Sequence, residues 1–235
     1  MMNDEYSMAL ISRIEQFQEL RKKAVSIAAG IIGQTLCMDD LFFCASIDRC
    51  IRLIDGFIPM LQDRNLTCAG VLLRMQMDNC MRTYAAFIAE DRNAAVQCII
   101  NGNPIKNLKD RSGKKMTDGH LKDEVAKIDP IFSTVYDNAS GYVHLSEKAF
   151  YQTVDSCDNY EMGIQIGQDL PEKRNVTLLE AADAYIHFVK LHFRMLNAVV
   201  ESKERFDAAQ AEKEQQEVQP WLTTNGSLKS ILNRF

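Results

Sequence analysis

Apolar residues recur along most of this chain at the three- and four-residue steps of amphipathic helices. Leu10, Ile14, Phe17, Ala24, Ala28 and Ile31 predict a first helix over about Asp4 to Ile32, with Gly33 as its stop. Cys44, Ile47, Ile51, Ile54, Ile58 and Leu61 mark a second helix, capped by Asp39 or Asp40, with Pro59 expected to kink or shorten its end. Leu66, Gly70, Leu73, Met77, Cys80, Tyr84 and Phe87 trace a third, from about Asn65 to Glu90. Leu72, Met75 and Ile88 widen its apolar face, which suits the centre of a bundle.

Shorter elements follow. A helix over Asp91 to Ile100 ends at an Asn-Gly-Asn-Pro turn, and the lysine-rich segment 102–116 reads as an exposed, mobile loop. A helix over Thr117 to Ile128 leads to Asp129-Pro130, a cap and first-turn pair for another helix that Gly141 is expected to break. Alternation in Tyr160, Met162, Ile164 and Ile166 predicts a small β-hairpin insert within 150–168. Thr177 and Glu180 form a capping-box pattern before the stripe Ala182, Ile186, Val189, Phe193, Leu196 and Val200. The expected object is all-α: a bundle of four to five long helices over 1–206, with a polar helical extension and tail over 207–235. The tail's Trp221, Leu228, Ile231 and Leu232 fit either a short docked amphipathic element or a mobile end.

Composition sets limits on function. The 235-residue chain is 46% hydrophobic and 25% charged, enough to build a core, and its net charge is −5. A uniformly basic nucleic-acid-binding surface is excluded; a local basic patch is not. No apolar run reaches membrane-spanning length, so no membrane association is expected. The N-terminal stretch lacks a basic segment followed by an apolar one, so no secretion signal is expected and the reading is cytoplasmic. Seven cysteines without a Cys-x-x-Cys pair read as reduced, mostly buried thiols, with no metal and no cofactor expected. Glycine fingerprints of phosphate loops and dinucleotide folds, and the Gly-x-Ser-x-Gly elbow, are absent.

Candidate chemistry concentrates in two places. Arg74, Asp78 and Arg82 stand at i, i+4 and i+8 on the third helix. They form either a phosphate-holding or base-ordering set, or a plain ion-pair ladder contributing about 0.3–0.5 kcal/mol per pair. The stretch YDNASGYVHLSEKAF places His144 beside Tyr136, Asn138, Ser140 and Tyr142. His144 is the one side chain there that titrates near neutral pH, and the others are expected to orient it or touch a ligand. The bland reading is a histidine satisfied at a helix end. His120, His187 and His192 read as structural or exposed; the last two, five apart, do not share a face. Lys106, Lys109, Arg111, Lys114 and Lys115 offer accessible cations to a phosphate backbone.

The segments LLRMQMDNCMRTYAAFI and VYDNASGYVHLS resemble the HEPN (higher-eukaryote and prokaryote nucleotide-binding) superfamily in an uncharacterised bacterial branch, over roughly residues 40–200. The resemblance implies a helical, often dimeric protein of phage-defence or toxin–antitoxin systems that binds RNA or nucleotide, many members being metal-independent ribonucleases. Their motif is an arginine and a histidine with four to six residues between them. Here Asp137, Asn138 and Ala139 occupy the arginine positions before His144, so the motif is incomplete. A degenerate ribonuclease would need His144 as base and Arg74 or Arg82, with Asp78, from the neighbouring helix. The non-catalytic alternative is a protein-interaction or dimerisation module.

Overall fold

A computed structural model describes residues 2–144, 146, 154–158, 161–164, 166 and 174–224, with side chains left out at 2–4, 155–158, 161–162 and 214–224. Within these residues the chain is predominantly helical, in seven α-helices: α1 (Met2–Ile32), α2 (Met38–Gln62), α3 (Leu66–Ile88), α4 (Arg92–Ile100), α5 (Asp118–Ile128), α6 (Phe132–Val143) and α7 (Asn175–Thr224). Strands β1 (Val154–Asp158) and β2 (Glu161–Ile164) pair antiparallel, with Cys157 opposite Met162. The rest of the 150–168 insert and the tail 225–235 with Leu228, Ile231 and Leu232 lie outside the described residues, as does the side chain of Trp221. No described helix is long and apolar enough to cross a membrane.

The α1, α2, α3 and α7 helices form the body, with α1 against α2 and α7, and α3 between α2, α7 and α6. Phe17, Phe57 and Tyr185 weld α1, α2 and α7 together; the Phe57 and Tyr185 rings stack with centroids 4.0 Å apart. Burying three such side chains contributes roughly 1.5–3 kcal/mol each before entropy. α3 is the central helix that its apolar girth predicts: Leu73, Met77, Cys80, Met81 and Ala85 are all buried. Gly70 lets α6 approach it closely, because a Cβ there would collide with the Tyr142 ring.

Several local expectations are corrected. The buried stripe of α2 runs through Phe43, Ile47, Cys50, Ile54, Phe57 and Leu61, while Cys44, Ile51 and Ile58 sit half-buried at its edge. α2 is gripped by α1 on one side and α3 on the other, so its core face is wider than one stripe. Cys37 holds the N-cap position of α2, and Asp40, inside the first turn, accepts from the Cys37 amide at 2.9 Å. Pro59 sits within α2, which continues to Gln62. The Asp129 carboxylate does not cap α6; it turns to α7 and accepts from His187 at 2.7 Å and Arg194 at 3.3 Å. Gly141 lies inside α6 instead of ending it, and Thr177 lies two residues inside α7. Of the six cysteines with described side chains, Cys50 and Cys80 are buried; Cys37 and Cys68 are exposed, and all six are free.

The boundary near residue 206 does not fall in a linker. α7 runs through it unbroken, and Asp207 accepts from the Gln34 amide and the Thr35 hydroxyl at 3.0 and 3.1 Å. Lys203, buried beside it, donates to the Thr35 carbonyl and to Asp40. Burial works against the Asp40 carboxylate, but the Lys203 ammonium and Cys37 amide outweigh it and hold its pKa below the ordinary value.

His192 is fully buried between Ser46 and Thr83, whose hydroxyls lie 3.3 and 3.0 Å from its Nε2. Burial pushes its pKa down to about 3. An unfolded histidine titrates near pH 6.5. Between these values the unfolded chain binds the extra proton, so stability is full above about pH 6.5 and falls as pH drops towards 3, by up to about 1.4 kcal/mol per pH unit. Urea unfolding across pH 7 to 4.5 will show a steeper stability loss for wild type than for His192→Gln; parallel slopes would contradict this assignment.

Candidate functional site

α3 carries Arg74, Asp78 and Arg82 up one line, as the i, i+4, i+8 spacing requires. The three do not act as one set. Arg74 turns towards α6: its Nε donates to the Ser140 hydroxyl at 3.2 Å, another nitrogen donates to the Tyr136 hydroxyl, and its guanidinium carbon lies 3.4 Å from the Tyr136 ring centroid. It is also ion-paired with Asp78. Burial raises the Tyr136 phenol above its ordinary pKa despite the opposing Arg74 charge, so it stays protonated. Arg82 faces away from that knot and pairs with Asp118 at 2.6 Å.

The second predicted group is divided in the same way. Tyr136 and Ser140 meet Arg74, and Tyr142 packs over Gly70. Asn138 is exposed on the outer face of α6. His144 stands just past the end of α6, exposed and in extended backbone, with no hydrogen bond or ion pair to a described residue. The arrangement thus joins Arg74, Asp78, Tyr136 and Ser140 into an interhelical latch and leaves His144 outside it. Of the two guanidiniums read as possible partners of His144, Arg74 is held by Tyr136, Ser140 and Asp78, and Arg82 is paired with Asp118.

The segment 102–116 differs most from expectation: it is ordered. Glu90 N donates to Lys109 O and Arg111 N to Ile88 O, both at 3.0 Å, stitching the loop to the end of α3. Met116 N donates to Leu108 O at 2.9 Å, and Ile105 and Met116 are buried beneath. Gly113 supplies the left-handed backbone (φ 81°) for the turn between these arms. At the hub is Asp110, 5% exposed. Its Oδ1 accepts from the Ser112 and Lys114 amides and the Ser112 hydroxyl at 2.7–2.9 Å, and its Oδ2 from His120 Nε2 at 2.7 Å. Burial raises the Asp110 carboxyl, but these donors together depress its pKa far more. Asp110, His120 and Glu124 are also close enough to share a metal ion, but with Asp110 engaged by four donors they work as a clamp.

The clamp displays Lys106, Lys109, Arg111, Lys114 and Lys115, every one exposed and none ion-paired with a described residue. Arg82 lies between this platform and the body. It lines a cleft of about 380 Å³ with Lys106 and Pro104, and a larger one of about 660 Å³ between α2, α3 and α4. Asp78 also lines the larger cleft. Sequence reasoning identified the loop's cations but not the cleft, whose α2 residues Met38, Leu41 and Ala45 form a second apolar face beside the core stripe. That doubled face is the signal that was there to find.

Arg74→Ala is expected to destabilise the fold by roughly 1–3 kcal/mol, because it leaves the buried Tyr136 hydroxyl without its donor and removes the guanidinium from the Tyr136 ring. His144→Ala is expected to stay within about 0.5 kcal/mol of wild type. Guanidinium unfolding of both variants checks this. The chain matches no protein-family model, no curated protein and no solved structure, so its function is read from its own residues and geometry.

Proposed function

We propose that this protein binds RNA through the 102–116 loop and holds it without cutting it. The observation that carries this reading is the set of five exposed cations on a hydrogen-bonded loop, none ion-paired with a described residue, in a chain whose net charge is −5. An acidic protein gathers positive charge in one place at a cost in self-repulsion, and contact with a phosphate backbone offsets that cost by releasing condensed counterions. Preorganisation helps as well: a loop already fixed by Asp110 loses little conformational entropy on binding. RNA is the ligand class implied by the HEPN resemblance, in a phage-defence or toxin–antitoxin setting. Nucleotide binding is the narrower form of the same chemistry, with Arg82 at the junction.

Catalysis is not part of the proposal, since Arg74 is committed to Tyr136, Ser140 and Asp78. The second reading, a homodimerisation or partner-binding module, draws on one observation. Met8, Ile11, Val25 and Ile32 are all exposed on α1, and the last three share a face at seven-residue multiples.

Fluorescence anisotropy with a labelled RNA tests the main reading. Wild type will bind with a log–log salt slope of about −3, from four or five phosphate contacts at roughly 0.7 each. Lys109→Glu, Arg111→Glu, Lys114→Glu and Lys115→Glu together will weaken binding at least about 100-fold. Unchanged affinity in that variant would remove the loop from the interface. RNA incubated with wild type in chelator will stay intact; cleavage abolished by His144→Ala would restore the ribonuclease reading. Sedimentation separates the module reading: a dimer lost on Val25→Lys, without RNA binding, would favour it.

A further inference from the structure

We propose that the cleft between α2, α3 and α4 accepts unpaired RNA bases, so that the protein selects single strands over duplexes. This rests on the reading of the basic loop as a phosphate-contacting surface, and adds to it a second, uncharged recognition element.

The cleft is an apolar trough in a charged frame. Met38, Leu41 and Ile100 on its walls are 47%, 46% and 47% exposed. Phe42, Ala45 and Ile99 complete the apolar part of the lining. The α2 members Met38, Leu41 and Ala45 are exposed along one face, with Phe42 buried at their base. Leaving such a face uncovered forfeits roughly 25 cal/mol for each Å² of apolar surface, a cost that an apolar occupant would recover. The volume, about 660 Å³, lies within the range of sites that enclose a small planar ligand.

The charges select the occupant. Arg49, exposed and without an ion pair to a described residue, lines the cleft together with Arg82. Asp78 also lines it, with its side chain 34% exposed. Phosphates are drawn to the arginines and repelled by the carboxylate, while base amines and ribose hydroxyls can donate to that carboxylate. A lipid tail or a plain apolar helix has no use for this pattern; a nucleotide, apolar on its faces and anionic on its backbone, matches both parts.

Continuity with the loop supplies the third argument. Arg82 and Ile99 border both this cleft and the neighbouring one that contains Lys106. Arg82 is held by Asp118, which also lines the neighbouring cleft, so a strand whose phosphates follow Lys106 must share or displace that ion pair to reach the rim of the apolar trough. Only unpaired bases can then turn in and lay their apolar faces against its aliphatic walls, because a duplex keeps them inside the helix.

Anisotropy with a labelled single-stranded RNA and a blunt duplex of the same length tests the proposal. Wild type will prefer the single strand by about tenfold or more. Leu41→Gln, which is uncharged, and Ala45→Glu, which fills the trough, will lose most of that preference and keep duplex affinity within about twofold. Both sites are exposed helix positions, and thermal melts will confirm folding. Equal wild-type affinity for the two RNAs, or a preference unchanged in both variants, would overturn the cleft proposal while the loop reading stands. Binding of neither RNA by wild type would overturn both.

Discussion

Asp110 accepts hydrogen bonds from two backbone amides, a serine hydroxyl and the His120 ring, and on this set of contacts the shape of the basic loop depends. A buried carboxylate is costly unless its oxygens are satisfied, and here four donors satisfy them. The arrangement turns a lysine-rich segment, which would otherwise sample many conformations, into a platform of fixed shape. Its depressed pKa ties the platform to pH with a definite sign. The contribution is present above the ordinary carboxylate range and is lost as pH falls through the lowered folded value.

The platform needs a rigid support, which α3 supplies. Its apolar residues are buried against α2, α7 and α6, and its end is stitched to Lys109 and Arg111 through residues 88–90. The Arg74 latch fixes α6 on the same helix, with Gly70 allowing the Tyr142 ring to come close. α3 therefore separates two polar regions with different roles. Arg74 and Asp78 begin in a structural knot, and Arg82, two turns along from Arg74, reaches an open surface.

The helical architecture was legible because amphipathic periodicity records burial directly: most of the α3 and α7 stripes is buried, with Tyr84, Phe87 and Val200 half-buried at their ends. In α2 the stripe was offset, since a helix held on two sides buries a wide arc and Cys44, Ile51 and Ile58 fall at its margin. The site was less legible. Spacing on one helix placed Arg74, Asp78 and Arg82 in line, but which way each side chain turns is set by α6 and by Asp118, distant in sequence. Arg74 was read as a cation for His144; it meets Tyr136 and Ser140 in a latch instead, and His144 lies beyond it. The order of the 102–116 loop was invisible in composition. Lysine and glycine signal mobility on average, and one aspartate with the right donors reverses it.

The account places RNA on the loop and the adjoining cleft, away from the end of α6. Titrating single-stranded RNA into isotope-labelled protein and following amide resonances tests that placement most directly. Shifts should cluster at Lys106 to Lys115 and at Arg82 and Arg49, while Asn138 to His144 stay unmoved. Shifts centred on His144, or none at the loop, would contradict it.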